Sequence, residues 1–169
     1  MYKRIIILGG SGSGKSTLAS RISEFTGYPV YHLDNLFLDS NWDMKSREER
    51  EEISKQFLSK DVGVVDGNYR SVLSNRINWA DLIIFTDIST FERLYRIFRR
   101  LVRVRLGFDK NSGAPEGRKQ FIDKEFLLWS LRWNKNQKPK TFSMLKEVKD
   151  KKVIIIKEPR KLDIKSLLE

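Results

Sequence analysis

The chain has 169 residues, 40 % of them hydrophobic, no cysteine and a net charge of +11. That size and apolar share suit one domain with its own core and exclude wholesale disorder. The lack of cysteine excludes disulfides and thiolate metal sites and fits a reducing cytoplasm, and no apolar run reaches the ~20 residues that span a bilayer.

The first strand is read at Ile5–Leu8. It is too short for a signal peptide, and it runs straight into "GGSGSGKST". Gly9, four residues, Gly14, Lys15 and Ser16 match the G-x-x-x-x-G-K-[ST] phosphate loop. Glycines let successive backbone N–H groups turn toward one anion, and the start of a helix adds more of them with the positive end of its dipole. Gly9, Gly10, Ser11, Gly12, Ser13, Gly14, Lys15, Ser16 and Thr17 are therefore the expected nucleotide-binding residues. Lys15 would reach the β- and γ-phosphates, and the Ser16 hydroxyl would ligate Mg²⁺. The expected ligands are thus ATP and Mg²⁺.

A helix over 15–25 follows, then a weak strand at Pro29–Leu33 that runs into "YHLDN". Ser46 with Glu49 three residues on is a capping box, so a helix is expected over 45–60. Val62–Val65 is the third strand and leads into "VVDGNYR". A helix near 70–77 precedes the fourth strand, Leu82–Phe85. Helices are expected at 89–105, 118–134 and 141–149, and the last strand at Val153–Ile156. The four strong runs are continuous and β-branched, as in a parallel sheet covered on both faces. Alternating strands and helices predict a doubly wound α/β fold.

In such a sheet, ligands sit beyond the carboxyl ends of the strands. Asp34 lies there, and a carboxylate at that place can orient an acceptor hydroxyl or take its proton; a turn-capping role is the alternative. His32 shares a strand face with Asp34 and reads as a structural histidine. Asp87, after the fourth strand, reads as a helix cap.

The charge is uneven. Residues 1–85 carry 11 Lys+Arg and 11 Asp+Glu, whereas residues 86–169 carry 22 and 11. An anionic partner follows: phosphates, nucleic acid or a membrane surface. The excess is densest in "RLYRIFRRLVRVR", residues 93–105. At about 3.6 residues per turn, Leu94, Ile97, Phe98 and Leu101 form a core face beside a stripe of Arg93, Arg96, Arg100 and Arg103. A second apolar series, Ile122, Phe126, Trp129 and Trp133, reads as core packing or as a stacking platform.

The phosphate loop, "VDGNYR" and the arginine-rich helix resemble a nucleoside monophosphate kinase. The match is closer to the adenylate-kinase-related DNA topology modulation proteins, whose "YHLDNLFWDSNW" and "IDGNYR" resemble "YHLDNLFLDSNW" and "VDGNYR" here. The resemblance implies one P-loop kinase-like domain over residues 1–169, a five-stranded parallel sheet and a helical lid around 105–120. It places Asp66 at the magnesium shell, with a helix N-cap as the alternative. It places Arg96 and Arg100 on the transferring phosphoryl group, and Asp34, Asn68, Tyr69 and Arg70 around the acceptor. Asn68-Tyr69 stands where adenylate kinase has Phe-Pro, so the acceptor need not be an adenylate. The implied activity is an ATP-dependent phosphotransferase acting on a small-molecule acceptor, a nucleotide or nucleoside among the candidates, with no membrane partner. The alternative is an ATP-binding regulator that binds DNA and affects its topology. No helix-turn-helix, zinc-finger or RNA-binding signature accompanies the basic charge.

Overall fold

A computed structural model describes residues 1–39, 41, 43–108 and 124–169. Five parallel strands form the sheet: β1 Arg4–Gly9, β2 Val30–His32, β3 Gly63–Asp66, β4 Leu82–Thr86 and β5 Lys152–Ile156, in the order β2-β3-β1-β4-β5. The doubly wound α/β fold is thus present. Successive residues of β1 feed opposite faces. Ile6 and Leu8 pack with Val65, Ile83 and Phe85 under α3 (Arg47–Leu58), α4 (Leu73–Trp79), α6 (Lys124–Asn136) and α7 (Lys138–Lys146). Ile5 and Ile7 pack with Val64, Leu82 and Ile84 under α1 (Lys15–Thr26) and α8 (Ile164–Leu168).

The register sets up the site. His32 pairs with Asp66, Asp66 with Ile7, and Gly9 with Thr86. The carboxyl ends of four strands therefore form one row, and the phosphate loop starts at its centre.

Most expected elements form, with differences that have physical causes. Val153–Ile156 lies at the sheet edge, not between two covering layers, and Ile155 is exposed there. The weak second strand stops at His32, because Leu33 turns inward to start α2 (Leu33–Phe37), burying Leu33 and Phe37. The Ser46–Glu49 capping box is present in full. The stretch near 70–77 begins as a 3₁₀ turn, Arg70–Val72, before α4. Pro139 suits a first helical turn, so α7 starts before residue 141. Helix α5 (Thr90–Arg105) is capped by Ser89, which accepts from the Glu92 N–H. Asp87 does not cap it; its carboxylate pairs with Lys138 at 2.6 Å.

The face of α5 that enters the core also differs from expectation. Arg93 and Ile97 are buried, whereas Phe98 is exposed. The helix backbone packs directly on the phosphate loop, since a Cβ on Gly12 would stand 2.6 Å from the Arg93 carbonyl. A phenylalanine ring does not fit in that gap. The expected lid around 105–120 lies mostly outside the described residues, as do Ile122, the first turn of the helix expected from 118, and Ser40 and Trp42 of the "YHLDNLFLDSNW" segment.

Candidate active site

The loop from Gly9 to Gly14 wraps a concave backbone surface. Gly9, Gly12 and Gly14 have φ of 141°, 77° and 90°, where side chains other than glycine are strained. Gly9 is also closed sterically: a Cβ there would lie 2.1 Å from Thr86 Oγ1. The Ser13 hydroxyl is fully buried against the same Thr86 hydroxyl at 2.6 Å, which fastens the loop to the end of β4. Gly14 caps α1 without a side-chain acceptor, so the first N–H groups of that helix face the loop's concavity. Inward-turned N–H groups at a helix start are the kind of surface that takes an anion such as a phosphate.

Lys15 folds back over the loop and donates from Nζ to the Gly10 carbonyl at 3.1 Å. Burial pulls its pKa below the ordinary value, opposed by Asp66 and Asp34. Ser16 Oγ donates to Asp66 Oδ2 at 2.6 Å. The other carboxylate oxygen, Oδ1, meets His32 Nδ1 at 2.7 Å. Burial opposes the charge on Asp66, but His32, Ser16 and Lys15 outweigh it and hold its pKa below the carboxylate value. The hydrogen bond to Asp66 raises the His32 pKa. A hydroxyl and a carboxylate side by side are hard oxygen donors of the kind Mg²⁺ takes, with phosphate and water completing its shell. Among the described residues no group of three or more His, Cys, Asp or Glu could hold a metal by itself.

These groups line a cleft of about 740 Å³. Its walls bring together Ser11, Gly12, Lys15, Ser16 and Thr17 of the loop, Asp34 of α2, Asp66 of β3, and Arg96 and Arg100 of α5. Arg96 reaches the Ser13 carbonyl at 3.5 Å and is held on its other side by Glu92. Burial lowers the Arg100 pKa, while Asp34 pulls the other way. Its Nε is buried with no hydrogen-bond partner among the described residues.

Asp34 reaches the cleft from the first turn of α2, not from a strand. It does not cap that helix; it accepts from the Tyr69 hydroxyl at 2.8 Å. The Tyr69 ring is in turn set edge-on against Phe37, 4.9 Å between centroids. Burial and the charge of Asp34 keep the Tyr69 phenol well above its usual pKa, so it stays a donor. Tyr69 therefore holds one carboxylate oxygen of Asp34.

The remaining acceptor-side residues lie elsewhere. Asn68 pairs both ends of its amide with the backbone of Gly9, bracing the loop. Arg70 is exposed and outside the walls of the cleft. Trp133 is core, stacked 6.1 Å from Phe85, while Trp129 is partly exposed.

Two buried arginines carry structural work: Arg93, which helical spacing placed in the cationic stripe, and Arg76, which the sequence left unassigned. Arg93 donates to the Ser11 carbonyl at 3.0 Å and the Ser130 carbonyl at 2.9 Å, and lies over the Trp133 ring. It ties the phosphate loop to α6 and belongs to no cationic stripe facing the ligand. Arg76 donates to the carbonyls of Gly67 and Tyr69 at 2.8 and 2.9 Å, and burial pulls its pKa down to about 10. It shapes the turn that presents Asn68 and Tyr69. Helical spacing gave no sign that either guanidinium was needed by backbone carbonyls far along the chain.

Strand order, loop and cleft define a P-loop α/β protein. Two solved structures share the fold over nearly the whole chain. A protein described only as a candidate kinase, from Chloroflexus aurantiacus J-10-fl, aligns with a TM-score of 0.53 and 15 % identity, covering 99 % of this chain and 96 % of its own. An unliganded sugar kinase from Janibacter sp. HTCC2649 aligns with a TM-score of 0.53 and 13 % identity, covering 99 % and 91 %. At such identities the likeness establishes the fold. No family model and no curated protein sequence matches the chain. The resemblance to DNA topology modulation proteins therefore rests on the sequence motifs alone.

Proposed function

We propose that this chain is an ATP-dependent phosphotransferase that moves the γ-phosphoryl group of ATP to a small-molecule acceptor. The observation that carries this reading is the convergence of Lys15, Arg96, Arg100 and Asp34 on one cleft that opens from the phosphate loop. ATP would lie with its phosphates in the loop's N–H groups. Ser16 and Asp66 would hold Mg²⁺, which neutralises phosphate charge. Lys15, Arg96 and Arg100 stabilise charge on the phosphoryl oxygens during in-line transfer, and guanidinium groups suit this because they stay charged and bind oxygens in pairs. Asp34 stands where an acceptor hydroxyl would approach, and its free oxygen can orient that hydroxyl and take its proton. Tyr69 fixes the carboxylate for that purpose. Asn68 and Arg70 belong in this reading to the bracing of the loop and to the outer approach of the acceptor.

The test is a screen of Mg-dependent ADP formation against nucleosides, nucleotides, sugars and small acids. Acceptor-dependent ADP formation supports the reading. None across the panel, with ATP bound, removes it. DNA binding regulated by ATP is the competing reading. Affinity for DNA that survives near-physiological salt would favour it, whereas a kinase with a basic cleft gives weak binding that falls steeply with salt.

A further inference from the structure

The turn Gly67–Asn68–Tyr69 touches the phosphate loop and Asp34 alike. On the loop side, the Gly9 N–H donates to Asn68 Oδ1 at 3.0 Å, and Asn68 Nδ2 donates back to the Gly9 carbonyl. On the acceptor side, the Tyr69 hydroxyl donates to Asp34 at 2.8 Å. Gly67 closes against the start of α2. Its φ is 129°, and a Cβ there would stand 2.9 Å from Cβ of Leu33, the residue before Asp34. Three consecutive residues thus meet the phosphate loop, Asp34 and the segment that carries Asp34.

Arg76 clamps this turn. Nη1 donates to the Gly67 carbonyl at 2.8 Å and Nη2 to the Tyr69 carbonyl at 2.9 Å, so one planar fork spans the carbonyls on either side of Asn68. The side chain is fully buried, and its Nε has no hydrogen-bond partner among the described residues. A buried cation held by carbonyls is costly beside an apolar side chain of similar volume. What the apolar side chain lacks is the fork that fixes the distance between two carbonyls.

We infer that Arg76 is a positioning residue for phosphoryl transfer: by clamping the turn it fixes how far Asp34 stands from the phosphate loop. The inference rests on the proposed transfer to an acceptor at Asp34. Arg76 itself touches neither ATP nor acceptor, since it is fully buried and outside the walls of the cleft. Its effect passes through Asn68 and Tyr69. A displacement of about 1 Å in such a site is enough to slow a reaction about 10²-fold.

The experiment uses Arg76→Lys in the full chain. Lysine keeps the charge and loses the fork, so it cannot hold both carbonyls in one plane. The measurements are the Mg·ATP dissociation constant, single-turnover transfer per folded molecule to the acceptor found in the screen, and the NMR resonance of isotope-labelled Tyr69 Cζ, assigned by its absence in Tyr69→Phe. The expected results are ATP binding within about threefold of wild type, transfer slowed about 10²-fold, and a displaced Tyr69 resonance. The double variant with Tyr69→Phe should be hardly slower than Arg76→Lys alone, because both changes release the same carboxylate. Wild-type transfer in a folded Arg76→Lys overturns the inference, since charge and packing would then suffice. So does a loss that adds in full to that of Tyr69→Phe, or a Tyr69 resonance that stays in place. If Arg76→Lys does not fold, Asn68→Ala takes its place. That variant frees the turn from Gly9, and its loss of transfer should overlap that of Tyr69→Phe; full additivity overturns the inference. If no acceptor is found, the proposed function fails and the role in transfer fails with it, while a displaced Tyr69 resonance in Arg76→Lys shows that the clamp itself stands.

Discussion

The two halves of the cleft are built differently. The nucleotide half is backbone: three glycines at positive φ, an uncapped helix start, and a hydroxyl pair that pins the loop to β4. The acceptor half rests on a side-chain pair from distant segments, Tyr69 with Asp34. A backbone cradle holds any phosphate chain that fits, since its groups carry no chemistry of their own. In the proposed function, the side-chain half is where an acceptor would be selected and its proton managed. A change in the first half should therefore damage ATP handling, and a change in the second should damage transfer.

The largest effect is expected at Lys15. Lys15→Ala removes the one ammonium that lies on the loop, and acceptor-dependent ADP formation should fall at least 10²- to 10³-fold, the range for losing one preorganised charge. Circular dichroism and melting temperature should stay near wild type, because the side chain's hydrogen bond is to a carbonyl of its own loop. Steady-state kinetics with a melting curve checks both.

Next come the arginines, which separate structure from chemistry on a single helix. Arg96→Met should lower kcat more than it raises the KM for ATP, the pattern of an interaction formed chiefly in the transition state. Arg93→Met should instead lower stability. It leaves the Ser11 and Ser130 carbonyls without their donor, at about 1–3 kcal/mol for each buried group left unpaired. Denaturant unfolding of the two variants should rank them in that order. Equal stability with equal kinetic loss would erase the distinction.

A smaller effect is expected at Tyr69. Tyr69→Phe keeps the ring on Phe37 and removes only the hydroxyl that holds Asp34. Turnover should drop by about tenfold while the dissociation constant for ATP stays within a factor of two, as for the loss of one neutral-donor hydrogen bond to a charged group. Titration calorimetry beside kinetics reads the split.

The smallest expected effect follows pH. The His32 pKa is raised in the folded chain above its ordinary 6.5 by the bond to Asp66. Its contribution to stability is therefore complete below about 6.5 and is lost as pH rises through the raised folded value. Melting temperature measured from pH 6 to 9 should decline more steeply for wild type than for His32→Gln. Parallel curves would dissociate His32 from Asp66.

The halves were also unequally legible in the sequence. The cradle could be read because positive φ and close backbone approach demand glycine at fixed spacing, and Gly9, Gly12 and Gly14 mark it. The sheet could be read from its β-branched runs. The Ser46 cap was legible because its partner, Glu49, is three residues away. Asp34 and Tyr69 were visible as candidates, but their bond was not, since it joins residues 35 apart through the fold. The arginine helix misled in one respect. Helical spacing shows which residues share a face, and not that a backbone carbonyl of the loop would draw Arg93 inward and turn Phe98 out.

The central claim is that the two halves do separable work, and Asp34→Asn tests it most directly. Asparagine keeps an oxygen to accept from Tyr69 and removes only the charge. The measurement is the Mg·ATP dissociation constant by calorimetry together with single-turnover phosphoryl transfer to the acceptor found in the screen. The expected result is ATP binding within a factor of two of wild type and transfer slowed about 10²- to 10⁴-fold, the usual range for a positioned base. Transfer at the wild-type rate, or ATP binding weakened as much as in Lys15→Ala, would contradict it.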